Sequence, residues 1–162
     1  MNVPIKYLPY HLTSKDKKKQ IKMLQKSRKM YKKNKYYTRK KVSSYTSKTS
    51  KHIINARKLY NIDTIVPSKK LSQATGCTID SLKQIVRKGE GAYYSSGSRP
   101  NQTAQSWGIA RLASAITGGK SAAVDYNILE KGCIHTKPAF ILAKKSRKKH
   151  GYGKHKVPKV MV

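Results

Sequence analysis

Residues 66–89 read VPSKKLSQATGCTIDSLKQIVRKG, and their punctuation sets the architecture of the chain. Pro67 precedes Ser68, whose hydroxyl suits the free N–H groups that open a helix. A short helix then ends at Gly76, because a residue without Cβ fits the left-handed position after a helix. Thr78 caps a second helix, which runs to Lys88 and stops at Gly89. Leu71 and Ala74 on the first helix face Leu82, Ile85 and Val86 on the second. Two short helices joined by so tight a turn make a helix-turn-helix arrangement.

The run Leu71-Ser72-Gln73-Ala74-Thr75-Gly76-Cys77-Thr78, followed by Leu82 and Ile85, resembles the lac-repressor type of helix-turn-helix. In a version that reads DNA, the start of the second helix meets base edges. Those positions are Ile79, Asp80 and Gln84. A carboxylate there can accept from cytosine, but it opposes phosphate. The unit therefore reads either as a sequence reader or as a packing motif alone.

Beyond it lies GEGAYYSSGSRPNQT, residues 89–103, whose Gly, Ser, Pro and Asn predict an ordered loop. Thr103 then caps a helix to about Thr117, stopped by Gly118-Gly119. Ile109, Leu112, Ala113 and Ile116 fall at i, i+3, i+4 and i+7, a buried stripe. Ser121 caps a last helix, about 122–131, which Gly132 ends. Lysine almost vanishes from residues 89–127, which hold the only tryptophan. Tyr93, Tyr94, Arg99, Trp107 and Arg111 are expected to cluster and to organise a core or a partner contact.

Towards the N-terminus, Pro4 and Pro9 favour extended backbone. Thr13-Ser14 opens a helix over 14–33, with Asp16 in its first turn, where the dipole favours an acid. Ile21, Leu24 and Tyr31, with Met23 and Met30 beside them, make only a thin apolar stripe. Such a helix is expected to lie on a surface with its lysines outward. Residues 34–49 interleave tyrosines with cations, a pattern that suits base stacking or a solvated or threaded basic arm. A second helix spans about 50–60, with Asn61 as its stop.

The chain has 162 residues, enough for one modest core, and carries 37 Lys and Arg against 6 Asp and Glu. A formal charge of +31 calls for a polyanion or an acidic protein surface nearby. Residues 1–60 hold 19 basic side chains and one acid, and residues 143–162 hold eight and none. The expected organisation is a basic arm with surface helices at 1–61, a compact helical domain at 62–132, and a basic tail at 133–162. The fold class is mainly α, a small helical domain with a helix-turn-helix-like unit and extended basic ends. Candidate polyanion contacts are Lys17, Lys18, Lys19, Arg28, Lys32, Lys33, Arg39, Lys40 and Lys41, then Lys144, Lys145, Arg147, Lys148 and Lys149. The closing VPKVMV alternates apolar positions, as a strand added to a partner's sheet edge would.

Cys77 and Cys133 do not make a disulfide framework. MNVPIKYLPYHL contains no signal-peptide run. A protein made and kept in a reducing compartment is expected.

Enzymatic signatures are weak. Gly119-Lys120-Ser121 resembles the tail of a phosphate-binding loop, but the required earlier glycine is Ser114. Ser95, Ser96 and Ser98 lie in no Gly-x-Ser-x-Gly elbow. Cys133-x-His135 with Cys77 offers a poor metal spacing. Six acids leave little for acid–base work. No catalytic, cofactor-binding or metal-ligating residue is assigned, and no small-molecule substrate.

The run KGEGAYYSSGSRPNQTAQSWGIARLASAITGGKSAAVDYNIL, preceded by TGCTIDSLKQIV, resembles a small basic protein family of large eukaryotic double-stranded DNA viruses, including those that infect algae. The N-terminal KKK…SRKMYKKNKYYTRKKV is similar to the algal-virus form. A looser pattern of Gly-Ala-aromatic, Arg-Pro and Trp-x-x-Ala-Arg resembles some tailed-phage proteins. The resemblance spans about residues 6–130. It implies a virion protein made in the host cytoplasm or nucleus and held inside or under the capsid shell. Two readings follow. One is a minor capsid component whose arms bind between or beneath capsomers, with major and other minor capsid proteins as partners, and viral DNA or inner-membrane headgroups as further contacts. The other is a DNA-binding protein that condenses the viral genome.

Overall fold

A computed structural model describes residues 1–153 and 157–162. The protein is mainly α-helical, with eight helices and one two-stranded sheet among the described residues. The chain divides by contact into two compact units. The first comprises residues 1–48, 90–107 and 157–162; the second comprises 49–89 and 108–153.

The first unit opens with β1 (Asn2–Pro4) and a 3-10 turn, Ile5–Tyr7. Helix α1 (Ser14–Tyr31) follows, and the Thr13 hydroxyl accepts from the Asp16 N–H as expected of its cap. Its buried positions are Asp16, Gln20, Met23, Leu24 and Ser27, one helical stripe that is more polar than apolar. Asn34, at φ 57°, closes its last turn: the Asn34 N–H donates to Tyr31 O and the Lys35 N–H to Met30 O. One apolar cluster gathers Val3, Tyr7, Leu8 and Leu24 with Trp107 and Val160. A second joins Leu12, Met23 and Val42. The segment read as an arm over 34–49 is therefore partly built into the unit, with Arg39 and Val42 buried. The C-terminal tip also finds its partner within the chain. β2 (Lys159–Met161) pairs antiparallel with β1, Val3 opposite Val160.

The second unit contains α2 (Lys51–Tyr60), capped by Ser50 and ended by Asn61 at φ 51°. Helix α3 (Lys69–Thr75) has Ser68 as its cap and Gly76, at φ 80°, after its end. Helix α4 starts at Ile79, and the Thr78 hydroxyl accepts from the Ser81 N–H. Leu71, Leu82, Ile85 and Val86 are buried in one core cluster that also takes in Ala56 and Tyr60 of α2 and Phe140, and Ala74 packs against it. Helix α5 covers Ala104–Ile116.

Three expectations are corrected. Residues 89–95 are not loop: α4 continues to Ser95 and carries Glu90–Ser95 into the first unit. The reason is close packing. A Cβ on Gly89 would stand 2.6 Å from the Gly108 Cα, so the glycine serves a helix–helix approach inside α4 and does not end it. The single helix expected after Ser121 is two, α6 (Lys120–Val124) and α7 (Tyr126–Gly132), which meet at buried Asp125. The C-terminal tail is largely helix α8 (Pro138–His150), burying Ala139, Phe140, Ala143 and Ser146. Its continuation at 154–156 lies outside the described residues.

The cysteines differ from expectation too. Cys77 and Cys133 form a disulfide, with Cα atoms 3.8 Å apart. They face each other across a small antiparallel bridge: the Thr78 N–H donates to Gly132 O and the Ile134 N–H to Gly76 O, both at 2.8 Å. The cross-link joins the turn of the helix-turn-helix to the connection between α7 and α8.

Candidate polyanion-binding surfaces

In the first unit the polar stripe of α1 decides which cations reach solvent. Asp16 accepts from the Ser44 N–H at 2.7 Å and from the Ser44 hydroxyl at 2.5 Å. Those two bonds, then Ser43 and Lys19, hold the Asp16 carboxyl below its usual range against the opposing effect of burial. Gln20 donates to Tyr7 O, and the Ser27 hydroxyl donates to Tyr94 O. With these partners inward, Lys17, Lys18 and Lys19 face out, as do Lys22, Lys26 and Lys29. Lys19 also donates from Nζ to Lys41 O at 3.0 Å.

Arg39 is the exception among the candidates. It is 7% exposed, and both terminal nitrogens of its planar fork donate inside the unit. Nη1 donates to Ser27 Oγ at 2.9 Å and to Tyr93 O at 2.8 Å; Nη2 donates to Ser98 Oγ at 2.8 Å. Its guanidinium carbon lies 3.8 Å from the Tyr93 ring centre, and its backbone N–H donates to the Tyr93 hydroxyl. Burial lowers its pKa, with Tyr93, Tyr7 and Tyr37 opposing. Arg39 is thus a structural hub, withdrawn from any polyanion. Asn101, at φ 61°, fixes the same segment: its side chain bonds the N–H and carbonyl of Val42 and the carbonyl of Tyr45. Neither role was legible from spacing, although an Asn directly after Arg99-Pro100 is a turn signal that points to Asn101.

Arg28 is half-buried and donates to Ser96 O from Nε and Nη2, and to Asn2 O. Beside it a groove is lined by Gln25, Lys29, Tyr31, Lys32, Ser95, Ser96 and Lys159, with no carboxylate in its lining. Lys32, Lys33, Lys40 and Lys41 are exposed.

Four of the five interaction candidates lie in the first unit, where they make separate contacts. Tyr93 and Tyr94 meet edge-on at 5.1 Å, and Tyr94 lies 5.0 Å from Tyr36, which lies 6.2 Å from Tyr31. Trp107 packs edge-on against Tyr7 at 6.0 Å in the apolar cluster of β1. Arg99 is exposed, and its carbonyl accepts from the Ser98 hydroxyl. Arg111 belongs to the second unit. It grips Asp125 with Nε and Nη2, both at 2.8 Å, while Lys88 reaches the same carboxylate at 3.0 Å.

The second unit presents its own basic face. Opposite the buried side of α8, Lys144, Lys145, Lys148 and Lys149 are exposed. Arg147 turns inward, its guanidinium 4.8 Å from the Tyr126 ring and 4.2 Å from the Tyr152 ring. On the helix-turn-helix, Ile79, Asp80 and Gln84 are exposed, but Gln84 Nε2 donates to Asp80 Oδ2 at 2.9 Å, so the tip presents a paired acid.

Among the described residues no three His, Cys, Asp or Glu side chains stand together as metal ligands would. No described helix is long and apolar enough to cross a membrane. No curated protein and no solved structure matches the chain. One family model, described as Family of unknown function (DUF5824), matches residues 4–129, well over half of the chain, and the chain therefore belongs to that family.

Proposed function

We propose that this protein is a non-enzymatic virion structural component, a minor capsid protein whose lysine faces on α1 and α8 bind acidic surfaces between or beneath capsomers. One observation carries the reading. Against 37 basic side chains, the ion pairs among the described residues are two, and both use Asp125. A charge of +31 that the fold leaves uncompensated belongs against an acidic partner. The disulfide supports a place in a released particle, since such bonds persist in oxidising surroundings, virion surfaces among them. The paired acid at the tip of α4 weighs against base readout by the helix-turn-helix.

The genome-condensing alternative draws on the same charge, so position in the particle separates the two. Purified virions are stripped stepwise with salt and detergent, and the protein is followed with the fractions. Retention on empty shells is expected. Departure with the DNA core would replace the capsid reading with the condensing one.

A further inference from the structure

We infer that the first unit carries a single-stranded nucleic-acid site built from an aromatic ladder, Tyr31, Tyr36 and Tyr94, beside the cation-lined groove at the end of α1. Asn34 creates it. Its left-handed backbone turns the chain at the end of α1, so that Tyr36 folds back to 6.2 Å from Tyr31 and 5.0 Å from Tyr94. Tyr94 rests edge-on against Tyr93, which is fully buried and covered by the Arg39 guanidinium. The ladder is therefore fixed at its inner end and open at its outer end. Tyr36 is 69% exposed and Tyr31 37% exposed, so both residues reach solvent where a ligand can meet them.

The surroundings select the ligand. Lys29, Lys32 and Lys159 line the groove with Tyr31, and no carboxylate does. Cations track a phosphate backbone, and ring faces take unpaired bases, the two parts of single-strand binding. A duplex hides its base faces and leaves the tyrosines without a role. Lysines alone would serve a duplex or an acidic protein equally; the exposed Tyr31 and Tyr36, backed by half-buried Tyr94, are what favour a single strand. The site is independent of whether the chain lies in the shell or on the genome.

The test uses the full chain and a fluorescent oligothymidylate of about 12 nucleotides, a length within known single-strand site sizes. Polarisation is read against a duplex of equal length over a salt series. The oligothymidylate is expected to bind more tightly than the duplex. Tyr36→Ala should weaken oligothymidylate binding by roughly 5- to 100-fold, the effect of losing one stacked base, and leave duplex binding unchanged. Tyr36→Phe should retain it, as should Tyr10→Ala, which removes a 95% exposed ring away from the groove. The Lys29→Gln, Lys32→Gln double variant should flatten the salt slope. Equal oligothymidylate binding by Tyr36→Ala, or a duplex bound as tightly as the single strand, would overturn the site. The exposure of Tyr36 makes misfolding a poor explanation of either result, and an unchanged melting temperature of the variant checks it.

Discussion

Arg39 holds a guanidinium inside the first unit with no carboxylate in ion-pair range among the described residues. Removing it has two opposed effects. Desolvation of a buried charge costs several kcal/mol, which the apolar Arg39→Met change would recover. Against that, Tyr93 O would be left without a donor, and the stacking on Tyr93 would be lost. An orphaned buried carbonyl costs about 1–3 kcal/mol, and a desolvated cation–π contact is worth about 2. The bonds to Ser27 and Ser98 are lost as well, at about 1 kcal/mol each, so the losses exceed the recovered desolvation and we expect net destabilisation of about 2 kcal/mol in Arg39→Met, measured by denaturant unfolding. Arg39→Lys should be no better, since it keeps the burial cost and cannot reach three acceptors at once; full tolerance of lysine would show that the fork is not what matters. Asp16 gives a pH-dependent counterpart. Its folded pKa lies below its unfolded value, so its contribution is present above about pH 4 and is lost as pH falls through the folded pKa. The stability difference between wild type and Asp16→Asn should stay constant from about pH 5 to 8 and shrink below about pH 4. A difference unchanged at low pH would remove the carboxylate–Ser44 bonds as its cause. These residues explain why the sequence understated α1. Asp16, Gln20 and Ser27 share a helical face with Met23 and Leu24, but polar side chains signal burial only when their partners are known, and Ser44, Tyr7 and Tyr94 are remote in sequence.

The helix starts at Thr13, Ser68 and Thr78 were the most legible features, because caps are local chemistry. Thr13, Ser68 and Thr78 each accept from the backbone N–H expected of them, Ser50 does the same at the start of α2, and Asn61 and Gly76 take the left-handed positions. The length of α4 was not legible, since a glycine inside a helix looks the same in sequence as one that ends it. The two glycines in α4 yield a paired prediction. Gly89→Ala gains about 1 kcal/mol of helix propensity, but its methyl would meet the Gly108 backbone, which cannot move aside cheaply. Overpacking of about 1–3 kcal/mol outweighs that gain, so the variant should be destabilised. At Gly91 a methyl meets nothing within 4 Å, and Gly91→Ala should stabilise by roughly 0.5–1 kcal/mol. Denaturation midpoints that moved in the same direction for both would contradict the close approach. The disulfide is another element-scale constraint that two isolated cysteines could not announce. It closes a separation of 56 residues, for which chain entropy gives about 4 kcal/mol. Reduction should lower the melting temperature of the wild type and leave the Cys77→Ser, Cys133→Ser double variant unmoved. A wild type indifferent to reductant would show that the bond is absent or energetically silent.

At the scale of the molecule, charge is the largest feature, and composition alone revealed it. The structure adds how little of it is neutralised within the fold: one buried carboxylate takes both ion pairs seen among the described residues. Salt then acts with opposite signs on attraction and repulsion. Screening weakens the contacts of Lys88 and Arg111 with Asp125, but that carboxylate is buried and its pairs are screened little. The lysines of α1 and α8 are exposed, and their mutual repulsion is fully open to screening. Repulsion is therefore the term that salt removes, and the melting temperature should rise with sodium chloride. Most of the rise should fall between about 0.02 and 0.2 M, where the Debye length shortens from roughly 20 to 7 Å. Each kcal/mol recovered corresponds to about 2–4 °C in a chain of this size. At the low end of that range, the proposed single-strand site predicts that a short oligonucleotide raises the melting temperature further by binding the folded form, and that added salt erases this second increment. A melting temperature that fell with salt would mean that attraction within the fold outweighs repulsion, and would remove the physical reason for seeking an acidic partner.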